Sequence, residues 1–90
     1  INMKVRKGDR QYYLNKEGKM FHLVKRVKTF SKSATLGKTK ATVKTVADLV
    51  FNEKAFDTID FSRDGLREND KEIVSMMIQE MNNERGKNVN

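Results

Sequence analysis

Apolar and polar positions alternate through the first half of the chain and take up a helical rhythm only near its end. Met3–Lys7 reads as a short entry strand, and Gly8-Asp9 as a turn. Gln11–Asn15 and Met20–Lys28 are rich in aromatic and branched residues, which predicts two strands. Between them Asn15–Lys19, with Gly18 able to take a positive φ, predicts a hairpin loop. Phe30–Gly37 reads as a polar connection. Lys38–Thr45 then alternates cleanly, with Thr39, Ala41, Val43 and Thr45 on one side and Lys38, Lys40, Thr42 and Lys44 on the other. Val46, Leu49, Val50 and Phe51 have the spacing of a short helix, with Thr45 as its N-cap.

Phe56, Ile59 and Phe61 anchor an irregular acidic stretch. Asn69 or Asp70 caps a final helix that runs to about Arg85 and stops at Gly86. Val74, Met77, Ile78 and Met81 give this helix one apolar stripe, flanked by Ile73. The expected fold class is α+β: an antiparallel sheet of three or four strands, covered on one face by one or two helices. Residues 1–86 are expected to form one domain and 87–90 a frayed tail. Ninety residues leave room for one small core.

Composition narrows the chemistry. The chain has no Cys, which excludes disulfides and thiolate metal sites and fits a cytoplasmic protein. No apolar run approaches the roughly 20 residues of a membrane span, and no signal-peptide pattern opens the chain. The absence of Pro argues against a Pro-rich ligand. No cofactor is expected.

Charge changes the picture most. Residues 1–46 carry thirteen Lys/Arg and two acids, Asp9 and Glu17, a net +11. Residues 47–90 carry six basic and ten acidic residues, a net −4. A cationic half of this kind attracts polyanions, nucleic acid above all.

If Phe21, Leu23 and Val27 face inward, then His22, Val24, Arg26 and Lys28 face outward. Lys38, Lys40 and Lys44 are expected beside them. Tyr13 joins this face if Tyr12 and Leu14 point into the core; the pattern alone leaves that choice open. The expected nucleic-acid surface is Tyr13, Arg26, Lys28, Lys38, Lys40 and Lys44. Lysines there would neutralise phosphates, and Arg26 could read bases through bidentate contacts. DNA ranks ahead of RNA as the partner. Other readings stay open: an acidic protein surface, bound by an inhibitor through its basic face or its acidic C-terminal half; a homodimer through the Met-rich helix; or lysines that only solvate the sheet and protect its edge.

Two motifs look catalytic or metal-binding and fall short. Gly37-Lys38-Thr39 ends like a phosphate-binding loop, but Lys32 stands where the motif's first Gly belongs. Asp60, Ser62, Asp64 and Gly65 have the opening spacing of a calcium loop, but Lys71 stands where its bidentate Glu is needed, and an acidic turn is the simpler reading. His22 is the single histidine, with no nucleophile near it in sequence. Met76, Met77 and Met81 read most simply as core, with an adaptable partner groove as the alternative. No enzymatic activity is expected.

Two segments resemble a known family. Tyr12-Tyr13-Leu14-Asn15-Lys16-Glu17-Gly18-Lys19-Met20 resembles the Y-x-V/I-S-N-x-G-R-V opening of phage HNH homing endonucleases. Gly37–Phe51 resembles their later G-K-x-K-x-x-x-V-H-R-L-V-A-x-A-F segment, and Ile59-Asp60 sits where their H-I-D-G follows. The resemblance spans residues 12 to 65. Under it, the family's metal-site and general-base histidines fall on Lys44 and Thr58, neither of which offers an imidazole. It therefore implies a nuclease-dead, phage-type scaffold, one that kept DNA affinity or was turned against a host or defence protein.

Overall fold

A computed structural model describes residues 2–32, 37–63 and 65–87, with side chains up to residue 84. Four strands, β1 (Asn2–Lys7), β2 (Arg10–Glu17), β3 (Met20–Lys32) and β4 (Thr39–Asn52), form an antiparallel sheet in the order β1-β2-β3-β4. A 3-10 helix, Glu53–Thr58, follows, and then α1, Glu68–Lys87. This is the expected small α+β fold, with one α-helix on the sheet.

Both early hairpins close over two residues, Gly8-Asp9 and Gly18-Lys19. Each Gly takes a φ near +60°, the geometry that keeps the strand twist continuous through so short a turn. The second loop is thus tighter than Asn15–Lys19, because Asn15–Glu17 continue β2.

The helix-side face of the sheet supplies Tyr12, Leu14, Phe21, Leu23, Ala47 and Phe51 to the core. The helix contributes the stripe Val74, Met77, Ile78 and Met81, all buried. Ring contacts from Phe21 to Phe51, Phe51 to Phe56 and Phe56 to Phe61, at 5.6–5.9 Å between centroids, carry the core from the sheet through the 3-10 helix into the following loop. Tyr12 and Leu14 win the inward positions of the hairpin, so Tyr13 lies on the open face. Met77 and Met81 are core, while Met76 is exposed.

Three expectations need correction. Phe30–Gly37 is not all connection, because β3 runs on to Lys32. The helix expected at Val46–Phe51 is strand: Ala47, Leu49 and Phe51 alternate inward, and Val46 is an extra residue in a β-bulge opposite Lys25/Arg26. One inserted residue in an alternating strand gives apolar spacings that mimic a helical turn. Finally, α1 runs from Glu68 through Gly86 to Lys87, so Asn69 and Asp70 lie inside its first turn rather than capping it, and Gly86 does not end it. Of the tail expected to fray, residues 88–90 lie outside the described residues.

Candidate functional site

β3 and β4 stay paired far beyond the core. From Arg26↔Thr45 to Lys32↔Thr39 they form a two-stranded ribbon of seven residue pairs, about 23 Å long at ~3.3 Å per residue. Thr39–Thr45 is exposed throughout. The molecule is elongated accordingly, with extents of 58 × 28 × 19 Å. No acid occurs between Gly18 and Ala47, so the ribbon's only charges are Arg26, Lys28, Lys32, Lys40 and Lys44, with Lys38 exposed just before β4.

The bulge decides how these charges are arrayed. Directly opposed residues of an antiparallel pair share a face. Beyond Val46, Arg26 opposes Thr45 and Lys28 opposes Val43, on the open face; Val27 opposes Lys44 and Ser31 opposes Lys40, on the helix side. The expected single cationic face is therefore split. Tyr13, Arg26 and Lys28 do share the open face. Lys40 and Lys44 point the other way, because the extra residue reverses the alternation of β4. Lys38 precedes the strand and belongs to neither register. Lys44 lines a groove of about 540 Å³ on the helix side with Arg10, Val27, Thr29 and Arg67.

On the open face Tyr13 lies between two cations. Lys4 Nζ is 5.5 Å from its ring centroid and Arg26 Cζ is 5.3 Å away, both within cation–π range. The Tyr13 hydroxyl donates to Gln11 Oε1 at 3.0 Å. Further along, Lys28 Nζ is 5.5 Å from the ring of Phe30, which is 57% exposed. His22 meets Asp48 Oδ1 at 2.6 Å through Nε2, so it is engaged in an exposed pair at the inner end of the face.

Sequence reasoning missed the knot at the root of the ribbon. Lys25 takes an inward strand position and is 2% exposed. Its ammonium donates to Asp70 Oδ2 at 2.6 Å and to the Gly65 carbonyl at 3.0 Å. Asp70, fully buried in the first turn of α1, also accepts from the Tyr12 hydroxyl, from the Arg67 backbone N–H at 2.7 Å and from Arg10 at 3.4 Å. The bond to Arg67 N–H is the inward half of a capping box, made from inside the helix. Burial pushes the Asp70 carboxyl up, but the donors from Lys25, Tyr12 and Arg67 outweigh it and hold the group below the ordinary carboxylate range. Burial, and then the bond to Asp70, push the Tyr12 phenol well above its ordinary value. The signal available in the sequence was Lys25 itself, a lysine in phase with Phe21 and Leu23 that therefore needs a buried anion.

The calcium-like loop has structural work. Asp60 accepts from the Ser62 backbone N–H at 2.9 Å and from its hydroxyl, and the Ser62 bonds hold Asp60 below the ordinary carboxylate range. Asp64 lies outside the described residues. Gly65, at φ +80°, lets the loop press on β4: a Cβ there would stand 2.0 Å from the Val46 carbonyl oxygen. Among the described residues no three His, Cys, Asp or Glu are grouped to hold a metal ion. Among them, too, no helix is long and apolar enough to cross a membrane.

Comparison with known proteins adds little to this geometry. The chain is similar to an uncharacterized protein, YuaN, of Escherichia coli (strain K12), at 53% identity over 36 residues. The match covers 40% of this chain and 47% of that protein, so it spans about half the relative's length. No family model and no solved structure matches. Lys44 and Thr58, which the resemblance to HNH proteins singled out, lie on the exposed ribbon and at the end of the 3-10 helix, and no comparison supports that resemblance.

Proposed function

We propose that this protein binds double-stranded nucleic acid, DNA ahead of RNA, by laying the β3–β4 ribbon in a groove, and that it does so without catalysis. The observation that carries the reading is the bulge at Val46, which leaves cations on both faces of an acid-free ribbon. A flat phosphate track needs cations on one face only. A groove has phosphates on both walls, and a body inserted into it meets them on both sides. A two-stranded ribbon enters the major groove of B-form DNA as it stands, and the minor groove where inserted apolar side chains kink it open, whereas the A-form major groove is too narrow and deep for side chains to read. The acids of α1, including Glu68, Glu72 and Glu80, belong to the layer behind the sheet and would turn that layer away from phosphate. Lys outnumbers Arg on the ribbon, which favours phosphate contact over base readout.

The test is fluorescence anisotropy with a labelled DNA duplex at several salt concentrations. Log K should fall linearly with log salt. Neutralising Arg26 and Lys28 (Arg26→Gln/Lys28→Gln) and, separately, Lys40 and Lys44 (Lys40→Gln/Lys44→Gln) should each flatten the slope by up to about 1.8. An effect from the first pair alone would return the interface to the open sheet face. Binding no tighter than that of a generic polycation would defeat the reading and favour the protein-directed inhibitor.

A further inference from the structure

We propose that Phe30 is a wedge that enters between base pairs from the minor groove, so that the protein unstacks one base step and bends the duplex it binds. The proposal rests on the groove reading above and deepens it by naming what the ribbon does there.

Among the described residues Phe30 packs against no core side chain. It is 57% exposed, lies outside the core, and stands toward the outer end of the ribbon, where Thr39–Thr45 are exposed as well. Its cross-strand partner is Ala41, too small to shield the ring. Val43, 48% exposed, lies diagonally across on the same face. Phe30, Ala41 and Val43 thus form a small apolar tract two residues short of the last described ribbon pair, Lys32↔Thr39. A phenylalanine left in water forgoes the burial free energy its ring offers, so the position is explained by what it meets when bound.

The surroundings select the occupant. Lys28 and Lys32 flank Phe30 on its own face, and Lys28 Nζ sits 5.5 Å from the ring. An apolar ring between two ammonium groups complements an apolar slot between two lines of phosphate, which is a base step opened from its groove edge. Minor-groove proteins insert apolar side chains in this way, and the resulting kink widens the groove for the inserted element. Such a wedge reads deformability rather than base edges, so easily unstacked pyrimidine–purine steps should be favoured. A ribbon carrying lysines and only one arginine, Arg26 at its base, fits that mode of selection.

The experiment uses a duplex carrying 2-aminopurine at a central TA step, with a donor–acceptor pair at its ends. The wild-type protein should raise 2-aminopurine fluorescence and shorten the end-to-end distance. Phe30→Ala should keep the salt slope of binding, lose roughly tenfold in affinity, and abolish both signals. Phe30→Leu, which keeps an apolar wedge, should retain part of each. Since Phe30 lies outside the core, circular dichroism should show both variants folded. Wild-type binding without either signal would overturn the wedge while leaving groove binding intact. Tighter, Phe30-dependent binding to the single-stranded oligonucleotide would overturn it in favour of a stacking platform for unpaired bases. No binding to the duplex at all would remove the wedge together with the reading beneath it.

Discussion

Replacing Asp70 with Ala removes one carboxylate and strands several donors at once. The Lys25 ammonium, 2% exposed, loses its 2.6 Å partner and keeps only the Gly65 carbonyl. The Tyr12 hydroxyl and the Arg67 N–H lose their acceptor as well. Breaking a buried ion pair from one side costs about 3–5 kcal/mol, chiefly because the remaining charge is left unpaired away from water. A chain of this length has a total stability of roughly 5–13 kcal/mol. D70A should therefore consume about a quarter or more of it and lower Tm by at least about 12 °C, at ~4–8 °C per kcal/mol. Urea unfolding followed by far-UV circular dichroism would measure this, with an unchanged m-value showing that the unfolded state is the same. Lys25→Met should cost less, because Asp70 keeps Tyr12, Arg67 and Arg10. The double variant should cost less than the sum of the singles, since the second change removes the charge that the first stranded. A D70A cost below about 1 kcal/mol at unchanged m would refute the buried ion pair.

Gly65→Ala should destabilise by more than about 2 kcal/mol, because it combines a positive φ with a Cβ set against the Val46 carbonyl; Gly8→Ala, with a similar φ and open space, should cost only the backbone part, about 1–2 kcal/mol. Paired urea titrations of the two variants isolate the contact. Stability should also fall at both ends of the pH scale. Asp70 is held below its unfolded value, so its contribution is whole above about pH 4 and is lost as pH falls through the folded pKa. The Tyr12 phenol is raised, so its contribution is whole below about pH 10 and is lost as pH rises further. Tm measured against pH should have a shallower acid limb in Asp70→Asn, where Asp60 still contributes, and a softer alkaline limb in Tyr12→Phe.

The sheet and the helix were legible because their core faces obey simple periods. Phe21 and Leu23 alternate, and Val74, Met77, Ile78 and Met81 recur at helical spacing. Gly8 and Gly18 marked their turns because a two-residue hairpin needs the positive φ that glycine takes freely. The errors that matter most for the site gather around one residue. Val46 adds a step to β4, and no periodicity reports an insertion whose partner strand is unknown. It turned a strand into an apparent helix at residues 46–51 and sent Lys40 and Lys44 to the wrong face. The Lys25–Asp70 pair joins residues 45 apart in sequence, and nothing local to either says that they meet. Of the expected interface, Tyr13, Arg26 and Lys28 come together as read, since they lie on strands whose alternation is unbroken.

The bulge and the buried knot occupy the same place, and that gives the ribbon a fulcrum. Lys25 is the last residue of β3 before the register shifts; Gly65 presses on the carbonyl of the bulged residue itself; Lys25 donates both to the Gly65 carbonyl and to Asp70 in the first turn of α1. Phe30 lies five residues out from Lys25, a lever arm of about 17 Å. A lever needs a stiff root, and here the joint is clamped by charge and close packing rather than left as a loop. Under the wedge proposal, a load applied near Phe30 would meet this clamped root, with the helix and the core behind it.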